Sequence, residues 1–141
     1  MKKKTIDIVE ISSITIIVII LIVISLFALK SSKARAKDAR ALADIKQIQS
    51  VLALYRFDLD IFPSSESFVA GEPLVAGEKI YLETIPKPPN AKNSCLGSNV
   101  YTYTPHISSE GLASYTLEYC LDSETAGISR GINTASPAGI K

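Results

Sequence analysis

Two absences characterise the beginning of this 141-residue chain. No proline or glycine occurs before Pro63, so that stretch contains no strong helix breaker. No charged side chain occurs in residues 11–29, and a helix of that length measures roughly 28 Å, close to the ~30 Å thickness of bilayer hydrocarbon. We therefore predict a transmembrane helix over residues 6–29.

A secretory signal peptide is the competing interpretation of this uncharged run. Signal peptides have a shorter apolar core, of about 7 to 15 residues, followed by a cleavage motif of small residues. Here the run is longer, and the charged sequence Lys-Ser-Ser-Lys-Ala-Arg follows it at residues 30–35. These features favour a span that remains in the protein and anchors it in a membrane.

Catalytic signatures are also missing. His106 is the only histidine, and the chain contains no G-x-S-x-G, H-E-x-x-H or glycine-rich phosphate loop. Glu118, Asp122 and Glu124 could bind a cation together, but carboxylates on the exposed face of a strand are common. The sequence therefore predicts that the protein is not an enzyme and has no cofactor and no metal site.

Cations flank the uncharged run on both sides. Three lysines, Lys2 to Lys4, precede the run, and five cations follow it: Lys30, Lys33, Arg35, Lys37 and Arg40. Such a cluster most often contacts lipid headgroups, and without interleaved aromatic residues it gives little support to nucleic acid binding. The positive-inside rule, applied to these counts alone, places the C-terminal part of the chain in the cytoplasm.

Residues 30–62 have the pattern of an amphipathic helix. One apolar stripe follows steps of four and three residues: Ala41, Ile45, Ile48, Leu52, Tyr55 and Leu59. Leu54 and Phe57 fall away from this stripe and would need cover from elsewhere in the body or from a neighbouring subunit. Two charge pairs have the spacing of a solvated helix: Arg35 with Asp38 and Arg40 with Asp44. We predict one continuous helix whose distal half is the spine of a soluble body.

From Pro63 the composition changes to glycine, serine, proline and threonine, which is typical of loops. Residues 64–79 are predicted to form a surface loop, and KIYLETIPKPPN at residues 79–90 to contain a short strand or a turn of helix. The glycine-rich tail that begins near Gly127 is predicted to be irregular apart from one edge strand.

Two segments of the body have the alternating pattern of half-buried strands, residues 99–104 and residues 114–121. The segment between them, HISSEGLA, is predicted to be their connection. A sheet of two or three strands is not stable alone in water, and the apolar stripe of the helix needs a partner. We therefore predict an α+β fold in which residues 63–141 form a small antiparallel body on the helix.

The two cysteines lie close to these strands, since Cys95 precedes the first and Cys120 is near the end of the second. A disulfide between them would close a loop of about 26 residues and contribute on the order of 3.5 kcal/mol. Two unrelated thiols are the alternative. Because a disulfide forms in an oxidising compartment, the pairing would place the body outside the cytoplasm, against the charge count.

The N-terminal half of the chain resembles the type IV pilins and the pseudopilins of type II secretion. In that family a short basic leader and a glycine precede a Phe-Thr-Leu-Ile-Glu motif, which opens a long apolar helix. Residues 1–5 are similar to the leader, Ile-Asp-Ile-Val-Glu at residues 6–10 is in register with the motif, and residues 31–63 are similar to the family's spine. YLETIPKPPN and the two cysteine-bearing strands also resemble small bacterial pseudopilin bodies.

The resemblance implies a structural subunit of the cytoplasmic membrane, with its N-terminus inside and its body outside, that assembles through its N-terminal helix into a pilus or pseudopilus. Its partners would be further copies or other pilin-like subunits, membrane lipid and a prepilin peptidase. Cleavage between Thr5 and Ile6 would free an amine for methylation at Ile6, although Thr5 stands where the family has glycine. Residues 86–89 lack the aspartate that similar proteins place near a calcium site.

Glu10, at the edge of the uncharged run, has two interpretations. A carboxylate near lipid is costly unless it is paired, and such residues usually mark functional contacts. The resemblance pairs it with the amine of Ile6 in a neighbouring subunit, or with a leader lysine such as Lys4 if the leader is uncut. Alternatively Glu10 reaches the headgroups and forms no specific pair. A solitary membrane-anchored binding domain and a DNA-uptake pseudopilin are the alternative functions.

Overall fold

The computed structural model describes residues 8–89, Cys95, residues 100–107 and residues 113–140. Within them the secondary structure is one long helix, one 3₁₀ turn (Ser65–Ser67) and six strands. The long elements in chain order are α1 (Ile8–Leu59), β1 (Leu74–Ala76), β2 (Lys79–Leu82), β3 (Thr102–Ile107), β4 (Ala113–Leu121), β5 (Gly131–Ser136) and β6 (Gly139–Ile140). The predicted α+β class is confirmed. The chain divides into two compact units, Met1–Ala34 and Arg35–Lys141.

In the second unit the apolar stripe of α1 forms one side of the core. Five of the six predicted stripe residues are buried: Ala41, Ile45, Ile48, Leu52 and Tyr55. Leu59 is 41% exposed, so the buried stripe ends one turn earlier than the sequence predicts. Leu54 and Phe57 point away from the stripe and are exposed, and Phe57 is 86% exposed.

The helix ends at Leu59, before the predicted boundary at residue 62. Asp60 adopts a positive φ of 58°, and its N–H donates to the carbonyl of Arg56 over 2.7 Å. A residue in the left-handed region commonly ends a helix, and aspartate is one of the few residues besides glycine that tolerates it. The stop is therefore made by Asp60, three positions before Pro63.

Strands β3, β4, β5 and β6 form one antiparallel sheet in that order. Tyr103 pairs with Leu117, and Leu117 pairs in turn with Ala135 on β5. These three side chains are buried in the same hydrophobic cluster as the helix stripe. The sheet therefore covers the apolar face of α1, as the α+β prediction requires.

Two predictions about this sheet are wrong in detail. The tail contributes two strands, and of these two only β6 is an edge, because β5 pairs with both β4 and β6. Strand β3 continues through Pro105 to Ile107, although His106 and Ile107 belong to the segment predicted to be the connection. Proline is accepted there because β3 is an edge strand, where its missing N–H removes no bond from the ladder.

The predicted surface loop at residues 64–79 also contains structure. Strands β1 and β2 form a hairpin in which Ala76 pairs with Lys79. Gly77, in the turn, has a φ of 58°, as the favoured two-residue hairpin turns require. Leu74 is fully buried, so the hairpin belongs to the core on one face.

Candidate functional site: the apolar segment and the outer face of the helix

The apolar segment, residues 11–29 of α1, is exposed on all sides. Its large apolar side chains are between 46% and 71% exposed. The helix that contains it is long and apolar enough to cross a membrane, with a mean hydropathy of 3.0 over its most apolar window. By length and composition this segment is a candidate membrane span near the N-terminus.

Polar side chains within the apolar segment bond to the helix itself. The hydroxyl of Thr15 donates to the carbonyl of Ile11 over 2.8 Å, and that of Ser25 donates to the carbonyl of Leu21 over 2.8 Å. Hydroxyl groups in lipid need such partners, because hydrocarbon offers none. Both residues are therefore compatible with a lipid-facing helix.

The predicted assembly and processing residues lie at the beginning of the chain. Glu10 is in the first turns of α1 (Ile8–Leu59), and its side chain is outside the described part of the structure. Thr5 and Ile6 lie outside the described residues. The pairing of Glu10 and the cleavage after Thr5 therefore stay predictions.

In the second unit, the side chain of Asp38 attaches α1 to the connection between β4 and β5. Its carboxylate accepts bonds of 2.8 Å from the backbone N–H groups of Asp122 and Ser123, and a further bond from the Ser123 hydroxyl. Thr125 donates a longer bond of 3.4 Å. Asp38 is only 3% exposed, so its assignment to a solvated charge pair with Arg35 was wrong.

Two more polar side chains of α1 face the sheet. Asp44 accepts a bond of 3.0 Å from the hydroxyl of Tyr101, and Gln49 donates one of 2.9 Å to the carbonyl of Ser136. Burial and the neighbouring carboxylate raise the pKa of Tyr101. With Asp38, these residues form a row of polar attachments beside the apolar stripe. Of the three, Asp38 and Asp44 have the spacing of solvated charge pairs in the sequence.

The opposite side of α1 is open to solvent. We call it the outer face, and it comprises Ala36, Ala39, Ala43, Ser50, Ala53, Leu54 and Phe57, all of which are exposed. These positions fall within one sector at 100° per residue. Three exposed cations border them: Arg35, Arg40 and Lys46. The outer face therefore has small side chains along most of its length and large apolar side chains, Leu54 and Phe57, at its C-terminal end. Exposed cations lie alongside it.

At the C-terminal end of α1, Asp58 contacts the hairpin. Its carboxylate forms an ion pair with Lys79 and accepts a bond of 3.0 Å from the hydroxyl of Tyr81. The bond from Lys79 lowers the pKa of the Asp58 carboxyl, and the same bond raises the pKa of the Lys79 ammonium. These groups are exposed, so the contact positions the hairpin more than it stabilises the fold.

Cys95 and Cys120 are joined in a disulfide, with their Cα atoms 6.3 Å apart. The pairing predicted from the sequence is present. Cys120 lies on β4, on the side of the strand opposite Tyr119 and Leu121. The bond therefore ties the segment before β3 to the middle strands of the sheet from outside the core.

A cavity of about 540 Å³ lies beside His106. Its lining combines apolar and polar side chains: Tyr55, Asp60, Ile61, Phe62, Pro63, Ser64, Ser65, Ser67, Pro105 and His106. The Nε2 atom of His106 is hydrogen bonded to the Thr116 hydroxyl at 2.9 Å, and the hydroxyls of Ser64 and Ser67 are bonded to each other at 2.9 Å. These polar groups are engaged with partners in the protein, and the absence of enzymatic activity stays a prediction.

The described residues contain no group of three or more histidine, cysteine, aspartate or glutamate side chains that could hold a metal ion. Glu118 and Glu124, weighed above as cation ligands, are both exposed. Sequence reasoning missed the role of Asp38. The available signal was the sequence Asp-Ser-Glu-Thr at residues 122–125, which is typical of a turn. The backbone N–H groups of such a turn need an acceptor from elsewhere in the chain.

Comparison of the chain with protein-family models, with curated proteins and with solved structures finds no match.

Proposed function

We propose that this chain is a pilin-like structural subunit, anchored in the cytoplasmic membrane by its apolar segment, with its body outside. It assembles with further copies or other pilin-like subunits into a pilus or a type II secretion pseudopilus. Adhesion, motility, secretion and DNA uptake are all functions that such a filament could serve.

The observation that carries this proposal is the contrast between two parts of α1. In the apolar segment the large side chains are 46% to 71% exposed, whereas between Ala41 and Tyr55 the stripe residues are at most 8% exposed. Apolar side chains exposed on every side of a helix are stable only in lipid or against other helices. The apolar segment therefore needs cover from outside the chain, and the filament supplies it from neighbouring subunits.

The composition of the apolar segment supports packing by interdigitated side chains. It is rich in isoleucine and valine and contains no glycine, so close backbone contact of the GxxxG type is excluded. Ridges of branched side chains can still pack into the grooves of a neighbouring helix. In such a bundle, Glu10 reaches the amine of Ile6 on an adjoining subunit once the leader is removed.

The disulfide supports the external position of the body. Disulfides persist in oxidising compartments and are rare in the cytoplasm, and Cys95 is bonded to Cys120 here. The N-terminus-inside orientation follows from that compartment and from the family resemblance. Lys33, close to the end of the span, then contacts headgroups on the outer side.

Substitution of Glu10 tests the proposal. Glu10→Ala should abolish filaments in membranes and in cell-surface fractions, because the carboxylate would no longer pair with a neighbour's amine. Glu118→Ala is the matched control, since Glu118 is an exposed carboxylate on β4. Near-UV circular dichroism of both purified variants should match the parent, because the buried core of the described residues lies in the second unit and the control position is exposed.

Two results would contradict the proposal. If Glu10→Ala assembles as the parent does, the carboxylate has no role in assembly, and the solitary membrane anchor becomes the better account. If neither the parent nor the variant assembles in any membrane preparation, the apolar segment is an anchor alone.

A further inference from the structure

Two segments of the second unit carry exposed charges of opposite sign: the part of α1 from residue 35 to residue 46, and residues 60–83 after the helix. Along the outer face the exposed cations are Arg35, Arg40 and Lys46, and the carboxylate of Asp58, which also borders this face, is paired with Lys79. The two carboxylates in this stretch, Asp38 and Asp44, face the body, where Ser123 and Tyr101 bind them. The fold therefore removes the negative charges from the outer face and leaves it basic.

The segment after α1 has the opposite character. Between residues 60 and 83, five carboxylates are exposed: Asp60, Glu66, Glu72, Glu78 and Glu83. Lys79 is the one cation of that stretch, and it is paired with Asp58. Four apolar side chains between the carboxylates are also exposed by more than 40%: Ile61, Val69, Val75 and Ile80. We call residues 60–83 the acidic segment.

The outer face and the acidic segment are complementary in both charge and polarity. Each combines uncovered apolar side chains with charges of a single sign, and the two signs are opposite. Val75 and Ile80 are partners across the hairpin, so they present one continuous apolar spot. On the outer face, Phe57 is the most exposed large apolar side chain among the described residues.

We propose that the outer face of one copy docks on the acidic segment of a second copy. This inference rests on the proposed function, because it names the body-to-body contact of the same filament. A surface that pairs with a different surface of an identical chain is heterologous, and such contacts continue into open chains unless they close into a ring. The contact therefore fits a polymer better than a closed dimer.

The arrangement of charges also sets the axial offset between copies. Parallel helices without an offset would place cations beside cations and carboxylates beside carboxylates. An offset of about 30 Å, the rise of twenty helical residues, brings Arg40 of one copy to the level of Asp60 of the next. The small residues Ala36 and Ala43 leave room for the hairpin to approach the helix.

The experiment uses the full chain in mild detergent, where neighbouring copies are free to take the axial offset, with a donor or an acceptor fluorophore attached after Lys141. Energy transfer between copies reports association. Arg40→Glu with Lys46→Glu makes both surfaces acidic, and the triple variant Glu66→Lys, Glu72→Lys and Glu78→Lys makes both basic. Each variant alone should associate about tenfold more weakly than the parent, because like charges then face each other. An equimolar mixture of the two should regain association.

Apolar contact is tested separately with Phe57→Ser. This variant should weaken association, whereas Ile132→Ser, at a 64% exposed position on the sheet, should leave it unchanged. The charge control is Glu118→Lys with Glu124→Lys, which reverses two exposed carboxylates outside the acidic segment. This control should associate as the parent does.

Four outcomes separate this inference from the proposed function. If Glu10→Ala abolishes energy transfer but the charge reversals do not reduce it, the inference alone is overturned. If reversal of the basic border matters only when anionic lipid is added to the detergent, headgroups occupy the outer face and the inference is again overturned. If mixing restores association while Glu10→Ala has no effect, the inference stands and the proposed function falls. If the parent shows no energy transfer, both are overturned.

Discussion

Asp38 in α1 accepts a hydrogen bond of 2.8 Å from the backbone N–H of Ser123, eighty-five positions away in the sequence. A buried carboxylate that accepts backbone N–H bonds forms stronger bonds than a neutral acceptor would. The contact fixes the connection between β4 and β5 onto the helix. It also explains how the outer face of α1 comes to be free of carboxylates.

We predict that Asp38→Ala lowers the free energy of unfolding by about 3 kcal/mol, because two backbone donors lose a charged acceptor in a buried site. Asp38→Asn should lose roughly half as much, since the amide oxygen can still accept one of the bonds. Thermal unfolding of the full chain in detergent, followed by near-UV circular dichroism, measures both. Lys46→Ala is the control and should unfold as the parent does, and an Asp38→Ala protein of unchanged stability would refute this account of the site.

The disulfide gives a second prediction. Cys95→Ser with Cys120→Ser should reduce stability by about 2 to 4 kcal/mol, since the bond constrains a long loop in the unfolded chain. The sequence separation is 25 residues. Reduction of the parent by dithiothreitol should produce the same loss, and dithiothreitol should have no further effect on the double variant. If the parent and the double variant unfold at the same temperature, the bond does not stabilise the body.

Buried tyrosines give a prediction about alkaline pH. Burial raises the pKa of the Tyr101 and Tyr103 phenols above their ordinary value, which means that the folded protein favours the neutral form. Their contribution to stability is therefore complete below the unfolded-state pKa of about 10, and it is lost as the pH rises above that value. Absorbance at the tyrosinate band should show these phenols ionising together with unfolding.

Tyr101→Phe removes only the hydroxyl of Tyr101 and so tests the contribution of that group. At neutral pH the variant should lose about 1 kcal/mol, because the bond to Asp44 is removed. Above about pH 10 its stability should improve relative to that of the parent, since ionisation of Tyr101 in the unfolded chain no longer favours unfolding. Titration of Tyr101 at the same pH as an exposed tyrosine, without unfolding, would be inconsistent with the burial described here.

The sequence predicted well which residues form the helix and the sheet that packs on it, because both show periodic patterns of apolar residues. The stripe from Ala41 to Tyr55 repeats at helical spacing, and the strand around Leu117 alternates at a spacing of two, so each pattern indicates which face is buried. The disulfide could be predicted because the antiparallel pair places Cys120 on the strand next to the segment after Cys95. The stripe and the strand pattern depend on local spacing, and the disulfide depends on the strand pairing that this spacing predicts.

Other features depend on contacts that are distant in sequence. Asp38 has the spacing of a solvated charge pair, and only the return of the chain at Ser123 buries it. The strand β5 is built from Gly-Ile-Asn-Thr-Ala-Ser, which has weak strand propensity, and its pairing with β4 stabilises it. Asp60 ends the helix by a backbone conformation that aspartate adopts only in some contexts.

Processing of the N-terminus is the next prediction. Mass spectrometry of the N-terminal peptide from membranes should find a species that begins at Ile6, with a methyl group on its amine, because the family resemblance implies cleavage after Thr5. Thr5→Gly, which restores the family's residue, should be processed at least as completely. A peptide that retains Met1 in both proteins would show that no prepilin peptidase acts on this chain and would leave Glu10 without its expected partner.

The central claim is that the apolar segment, residues 11–29, is both a membrane anchor and the surface through which copies assemble. Its most direct test is electron microscopy of the full-length protein, extracted from membranes in mild detergent and then concentrated as the detergent is removed. We expect filaments whose subunits lie with their α1 helices parallel and staggered. A preparation in which the intact chain stays monomeric at every concentration, while its body is folded, would contradict the claim.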